Sequence, residues 1–203
     1  MSKEEIADFL SKFIPQQAVH YLADFFFQSP LMLKVTRSRL SKYGDYRAPF
    51  GNHGHRISVN GDLNPYAFLL TLVHELAHYK VQVNHGSQVK PHGKEWKNEF
   101  KNLMMPLLNS EVFPAEVLKQ IRTYMLNPKA STCSDPVLFA VLNKFNKNPV
   151  TYLTDIEYGK PFAFKGRVYK RLEKRRTRFK CMQLPENKYV LINGVAEVQK
   201  IKF

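Results

Sequence analysis

The stretch NPYAFLLTLVHELAHYKVQV, residues 64–83, constrains the fold more than any other part of the chain. Asn64 can cap free helix amides, and Pro65 fits the first helical position, where a missing N–H breaks no hydrogen bond. Phe68, Leu69, Leu72, Val73 and Leu76 then recur at helical spacing, which predicts a long buried helix through residue 83. Such a helix needs a core around it. With 203 residues, 44 % of them hydrophobic, the chain is long and apolar enough to build one without covalent help.

The flanking segments supply the other elements. Ile6, Phe9, Leu10 and Phe13, then Val19, Leu22, Phe25 and Phe26 after Pro15, predict two helices at the start of the chain. LMLKVTRSRL reads as a strand, KYGDYRAPFGNHG as a turn-rich connection and HRISVN as a short alternating strand. Beyond the central helix, residues 94–107, EVLKQIRTYML and DPVLFAVLNKF read as three more helices. From Tyr152 the pattern changes to short alternating stretches, FAFKGRVYKRL, TRFKCMQL, KYVLI and AEVQKIKF, separated by ENK and NG turns. The expected fold class is therefore α+β. A mostly helical domain with a small sheet spans 1–150, and a basic, mainly antiparallel β unit spans 151–203.

Charge and cysteine content exclude several classes. The chain carries 31 Lys and Arg against 17 Asp and Glu, a formal charge of +14, so polyanions are natural partners. It is too apolar for a disordered basic tail. Cys133 and Cys181 allow at most one bridge, which rules out a disulfide scaffold and an all-cysteine zinc site. The acidic start MSKEEIADFL lacks the pattern of a secretory signal, and no apolar run is long enough to span a membrane. A soluble, cytoplasmic protein is expected, without a membrane partner.

The polar residues inside the central helix carry the chemistry. His74 and His78 lie four apart, so both imidazoles leave one side of the helix and can reach one ion, with Glu75 beside them. Histidines on a helix can also be hydrogen-bonded core residues, and Glu75 can be a solvated acid. Catalytic zinc needs a third protein ligand and an open position. His92 follows a loop containing glycine and proline and precedes an amphipathic helix that Trp96 and Phe100 can anchor. His85 competes for the role, although Gly86 beside it marks a turn and its shorter loop is a poor route back to the helix. A structural zinc normally closes with four protein ligands, and the lack of nearby cysteines favours a catalytic ion.

TRSRLSKYGDYR, TLVHELAHYK and HGKEWKNEF together resemble the SprT-like zinc metalloproteases, which include proteases acting on DNA–protein crosslinks. The resemblance covers roughly residues 15–110, with the basic tail as a second match. It implies a zincin-like core with zinc held by His74, His78 and His92, and Glu75 as the base that activates water. It also implies a protein or peptide substrate, often one bound or crosslinked to DNA. The rival reading is a non-catalytic, zinc-stabilised nucleic-acid-binding protein.

The tail departs from a common pattern in that family. Many members follow the core with a four-cysteine zinc ribbon, and VYKRLEKRRTRFKCMQL resembles the middle of one with only Cys181 remaining. A ribbon-like sheet without zinc is expected, held by Phe162, Phe164, Val168, Tyr169, Phe179, Tyr189, Val190, Leu191 and Val198 or a subset of them. Residues 160–180 contain ten Lys or Arg and one Glu. Lys174, Arg175, Arg176, Arg178 and Lys180 are accordingly candidates for sequence-nonspecific DNA contacts, since cations neutralise phosphates without reading bases. Contributors to transition-state stabilisation are sought among Arg37, Arg39, Tyr43, Tyr46, Arg47, His53 and His55, and LMLKVTR or HRISV can offer an edge to an extended substrate.

Overall fold

The computed structural model describes residues 1–39, 42–129 and 135–201. The chain forms two compact units, Met1–Thr132 and Cys133–Phe203. This division falls earlier than the compositional boundary at 150/151, so the last helix belongs with the C-terminal sheet. Cys133 lies outside the described residues.

In the N-terminal unit, α1 (Lys3–Leu10) opens with a reciprocal cap between Ser2 and Glu5, and α2 (Gln16–Phe27) follows Pro15. Strands β1 (Leu31–Thr36), β2 (Gly44–Arg47) and β3 (His55–Asn60) form a sheet in the order β1-β3-β2. β1 runs parallel to β3 and β2 antiparallel to it. HRISV is thus the central strand and cannot be an edge, which belongs to β1 and β2. β2 has no sequence signature of a strand: Gly44 and the charged Asp45 and Arg47 read as a turn, and only pairing with β3 makes them extended.

The central helix, α3 (Pro65–His85), is capped by Asn64, whose side chain accepts from the N–H groups of Tyr66 and Ala67. It packs against α4, β2 and β3. The expected apolar stripe is buried, but burial goes all the way round from Phe68 to Ala77 and includes Thr71, His74 and Glu75. A helix enclosed on every side leaves its polar groups dependent on protein partners. α4 (Lys94–Met104) then continues as a short 3-10 turn to Leu107, and α5 (Ala115–Leu126) follows. No helix among the described residues is long and apolar enough to cross a membrane.

The C-terminal unit contains α6 (Pro136–Asn143), capped by Asp135, and a five-stranded sheet. Its strands are β4 (Pro161–Phe164), β5 (Arg167–Arg175), β6 (Arg178–Leu184), β7 (Lys188–Asn193) and β8 (Gln199–Lys200). They are antiparallel, in the order β7-β6-β5-β4-β8. One face gathers Leu153, Ile156, Phe162, Tyr169, Phe179, Cys181, Ile192 and Val198, with Phe164 and Val190 partly covered. Cys181 is a fully buried core residue here. Val168, Tyr189 and Leu191 do not join this core and stand 36 %, 61 % and 55 % exposed. Strand alternation selects the subset: in β7, Val190 and Ile192 take the inner face, which turns Tyr189 and Leu191 outward.

Candidate metal centre

Two histidines one helical turn apart leave α3 on the side that faces the start of α4. His92 Nε2 lies 3.1 Å from His74 Nε2 and 2.9 Å from His78 Nε2. Among the described residues these three histidines form the one cluster able to hold a metal ion. His85, at the exposed end of α3, is not part of it. His92 reaches the cluster from a left-handed backbone conformation, φ 56°, immediately before the helix cap Gly93. A non-glycine residue held at positive φ costs free energy, of order 1–3 kcal/mol, that the surrounding structure must supply.

The donor set suits zinc. Three nitrogens at tetrahedral corners about 2.0–2.1 Å from an ion stand about 3.3 Å apart, close to the two separations observed. Hydrogen bonding alone satisfies the cluster poorly, because His92 Nε2 faces two other Nε2 atoms and can donate only one proton. Among the described residues His74 Nδ1 is buried with no partner, and with Nε2 on an ion this nitrogen would carry the ring proton. Burial, reinforced by His78 and His92, pushes His74 down to about 3; burial and His92 push His78 down to about 4, and burial lowers His92. The rings are therefore neutral near pH 7, the form that binds a cation.

Trp96 forms a common wall. Its ring lies 4.6 Å from His74, 5.6 Å from His78 and 4.7 Å from His92 between centroids, and it stacks on Phe100 at 5.0 Å. Its indole N–H donates to the His74 carbonyl across 3.4 Å. The residue expected only to anchor α4 thus touches all three imidazoles. Packed against such a wall, the rings lose little further freedom when an ion arrives.

Glu75 is buried between α3 and β2. Burial, and next the charge of Asp45, push its carboxyl up to about 8, against the pull of the Tyr46 backbone N–H and the positive charges of Lys42 and Arg39. A divalent ion nearby would reverse this balance in favour of the carboxylate. Close approach of β2 depends on Gly44: a Cβ there would lie 2.5 Å from Glu75 Oε1 and 2.8 Å from both Glu75 Cγ and Thr71 Cγ2. Gly44, Asp45, Tyr46, His74, Glu75, His78 and His92 line an open cavity of about 290 Å³.

Of the residues considered for transition-state stabilisation, only Tyr46 lines this cavity. Its Oη is hydrogen bonded to His55 Nδ1 at 2.7 Å, and His55 packs edge-on against Tyr79 at 5.0 Å. Burial and the neighbouring Tyr79 push the Tyr46 hydroxyl up to about 12, so it stays a proton donor at neutral pH. Arg39 is tied to Asn60 and Ser58, Arg47 pairs with Asp45, and Arg37 and His53 are exposed. Gly44, against Glu75, and Trp96, against the three imidazoles, are positions at the site whose placement sequence patterning missed. The KYGDYR run carried a signal for the first only through its family resemblance.

The basic tail residues lie in the C-terminal unit, on the β5–β6 hairpin. Lys174, Arg175, Arg176 and Arg178 are exposed. Lys180 pairs with Glu173 at 3.5 Å and sits 4.2 Å from the Tyr189 ring centre. Arg175 approaches the same glutamate only at 3.9 Å.

An α+β core whose buried helix carries two histidines and a carboxylate, with a third histidine from the loop just before the next helix, has a candidate three-histidine metal site of the zinc metalloprotease-like kind. The chain belongs to the SprT-like family, whose family model matches residues 16–117, from α2 into α5. No curated protein and no solved structure matches the chain.

Proposed function

We propose that this protein is a zinc-dependent endopeptidase with a zincin-like core, acting in the cytoplasm on DNA-associated or DNA-crosslinked proteins. The observation that carries this reading is the convergence of three histidine nitrogens next to the buried Glu75 carboxyl, in one open cavity. His74, His78 and His92 would hold the ion. When bound, zinc supplies Lewis acidity, acidifying water and polarising the scissile carbonyl. Glu75 accepts the proton of the attacking water and passes it to the leaving amine, which requires hydrogen-bond reach of both. Tyr46 is the donor available to the oxygen that becomes negative.

β2 is the sheet edge that borders the cavity. An extended substrate adding to it would be held by backbone hydrogen bonds, a mode with little side-chain selectivity that suits varied protein substrates. The exposed cations Lys174, Arg175, Arg176 and Arg178, with Lys180 beside them, are assigned to DNA phosphates. Tethering to DNA raises the effective concentration of proteins bound there.

The test is zinc content and peptide cleavage, measured together on wild type and Glu75→Gln. The amide keeps the size of the carboxylate but cannot act as a base, so zinc should remain at one per chain while cleavage falls about 10²- to 10⁴-fold. Stoichiometric zinc with no cleavage of any protein or peptide by the wild type would leave the non-catalytic, nucleic-acid-binding reading instead.

A further inference from the structure

The pleat gives the N-terminal sheet two faces. Gly44 of β2 approaches α3, whereas alternate positions on the three strands meet on the outer side around a groove of about 250 Å³. Lys34, Arg39, Arg47 and Arg56 line it with a single carboxylate, Asp45, and with Ser58. Asp45 is already engaged by Lys42 at 2.8 Å and by Arg47 Nε at 2.9 Å. Arg39 donates to Asn60 Oδ1 at 2.8 Å, Ser58 Oγ at 3.1 Å and Ser58 O at 3.4 Å. All three acceptors are neutral, so this guanidinium is positioned without being neutralised. Arg56 Nε is buried with no hydrogen-bond partner, and Lys34 has no ion-pair partner among the described residues.

We propose that this groove binds the phosphates of a nucleic-acid backbone. Arg39, held by neutral acceptors yet uncompensated, is built for an anion, because its ordering entropy has been met while its charge still lacks a counterion; Arg56 and Lys34 add charge that no ion pair among the described residues offsets. Lys34, Arg56 and Arg47 come from three neighbouring strands spaced about 4.8 Å apart, and Arg39 from the segment after β1, an array suited to repeated charges. A single phosphorylated side chain would use one or two of them. No aromatic ring among the described residues lines the groove, so it offers no platform for base stacking and suits contacts to the backbone, which carry no sequence information. Ser58 Oγ accepts from Arg39 and keeps its own proton to donate to a phosphate oxygen. β2 is common to this groove and the metal cavity, so nucleic acid here would lie across one strand from the cleavage site. The inference rests on the nucleic-acid association proposed above and adds a second surface on the catalytic unit.

The experiment uses the full zinc-loaded chain, a mixed-sequence oligonucleotide and anisotropy titrations at several salt concentrations. Lys34 and Arg47 are exposed, so Lys34→Gln with Arg47→Gln should leave melting temperature and zinc content unchanged. Each lost phosphate contact releases about 0.9 fewer counterions, which is about eightfold in affinity at ~0.1 M salt. The double variant should therefore bind about 60-fold more weakly at that salt, with a salt slope flatter by about 1.8. The same loss should appear when Arg175, Arg176 and Arg178 are already Ala, and Arg56→Gln should add to it. Loss in the Lys34 and Arg47 variant alone supports the groove while removing the tail assignment. Loss in the tail variant alone overturns the groove while leaving DNA association standing. A poly-glutamate peptide that competes as well as the oligonucleotide at equal charge would overturn the choice of nucleic acid.

Discussion

Gly44→Ala should disable the catalytic base without touching the metal ligands. The new Cβ would sit 2.5 Å from Glu75 Oε1 and 2.8 Å from Glu75 Cγ and Thr71 Cγ2. Non-bonded carbon atoms prefer about 3.5–4.0 Å, so the overlap is about 1 Å. α3 is enclosed from Phe68 to Ala77 and cannot retreat, which leaves rotation of Glu75 or displacement of β2. Overpacking of this kind costs about 1–3 kcal/mol of stability, and a ~1 Å misplacement of a reacting group costs about 100-fold in rate. Peptide cleavage should fall by that factor while zinc stays at one per chain, since the closest neighbours of this Cβ belong to Glu75 and Thr71 and to none of the three histidines. In a Glu75→Ala background the added methyl has room on the glutamate side and keeps only the contact with Thr71 Cγ2, so part of its stability cost should vanish. Urea titrations of both single variants and the double variant give this coupling, expected at about 1–2 kcal/mol. Cleavage near wild-type level by zinc-loaded Gly44→Ala, or purely additive stability losses, would refute the close approach of β2 to the base.

The metal-free protein should be most stable at about pH 6.5. From about 4 to 6.5 stability should climb, because unfolded histidines bind protons that buried His74 and His78 refuse. From there toward 8 it should decline, because folded Glu75 keeps a proton that its unfolded counterpart has lost. Zinc or Glu75→Gln should each abolish the decline; thermal melts of chelated samples across this range check it, and a flat profile above 6.5 would contradict the buried carboxyl. His92→Ala should weaken zinc by more than the roughly 100-fold typical of residues behind the ligands, and His85→Ala should leave it unchanged, as competition with a chromogenic chelator will report. Cys181→Ser should keep one zinc per chain while costing about 1–3 kcal/mol by placing a hydroxyl in the apolar core of the C-terminal sheet; zinc analysis beside a urea melt separates the two effects.

FAFKGRVYKRL, one alternating stretch by pattern, folds as two strands, β4 and β5, about the turn at Lys165 and Gly166. By contrast, α3, the spacing of His74, Glu75 and His78, and the strands β6 and β7 can be read directly from the sequence. Each depends on a repeat of two to four residues, and the periodicity of a segment is set by its own side chains. The choice of His92 over His85 rested on loop lengths and on Trp96 and Phe100, features that limit where a ring can go without placing it. Tertiary structure decided the rest. Gly44, Asp45, Tyr46 and Arg47 have no strand periodicity of their own and become β2 only through pairing with β3, which then brings Gly44 against Glu75. In β7, Val190 and Ile192 rather than Tyr189 and Leu191 went inward, because the partner strands set which of two equivalent faces meets the core. Trp96 reads as an ordinary apolar anchor until α4 packs on α3 and brings one ring against three histidines. Local pattern determines most of the elements, while β2 and the distances between residues far apart in the chain arise only when those elements pack together.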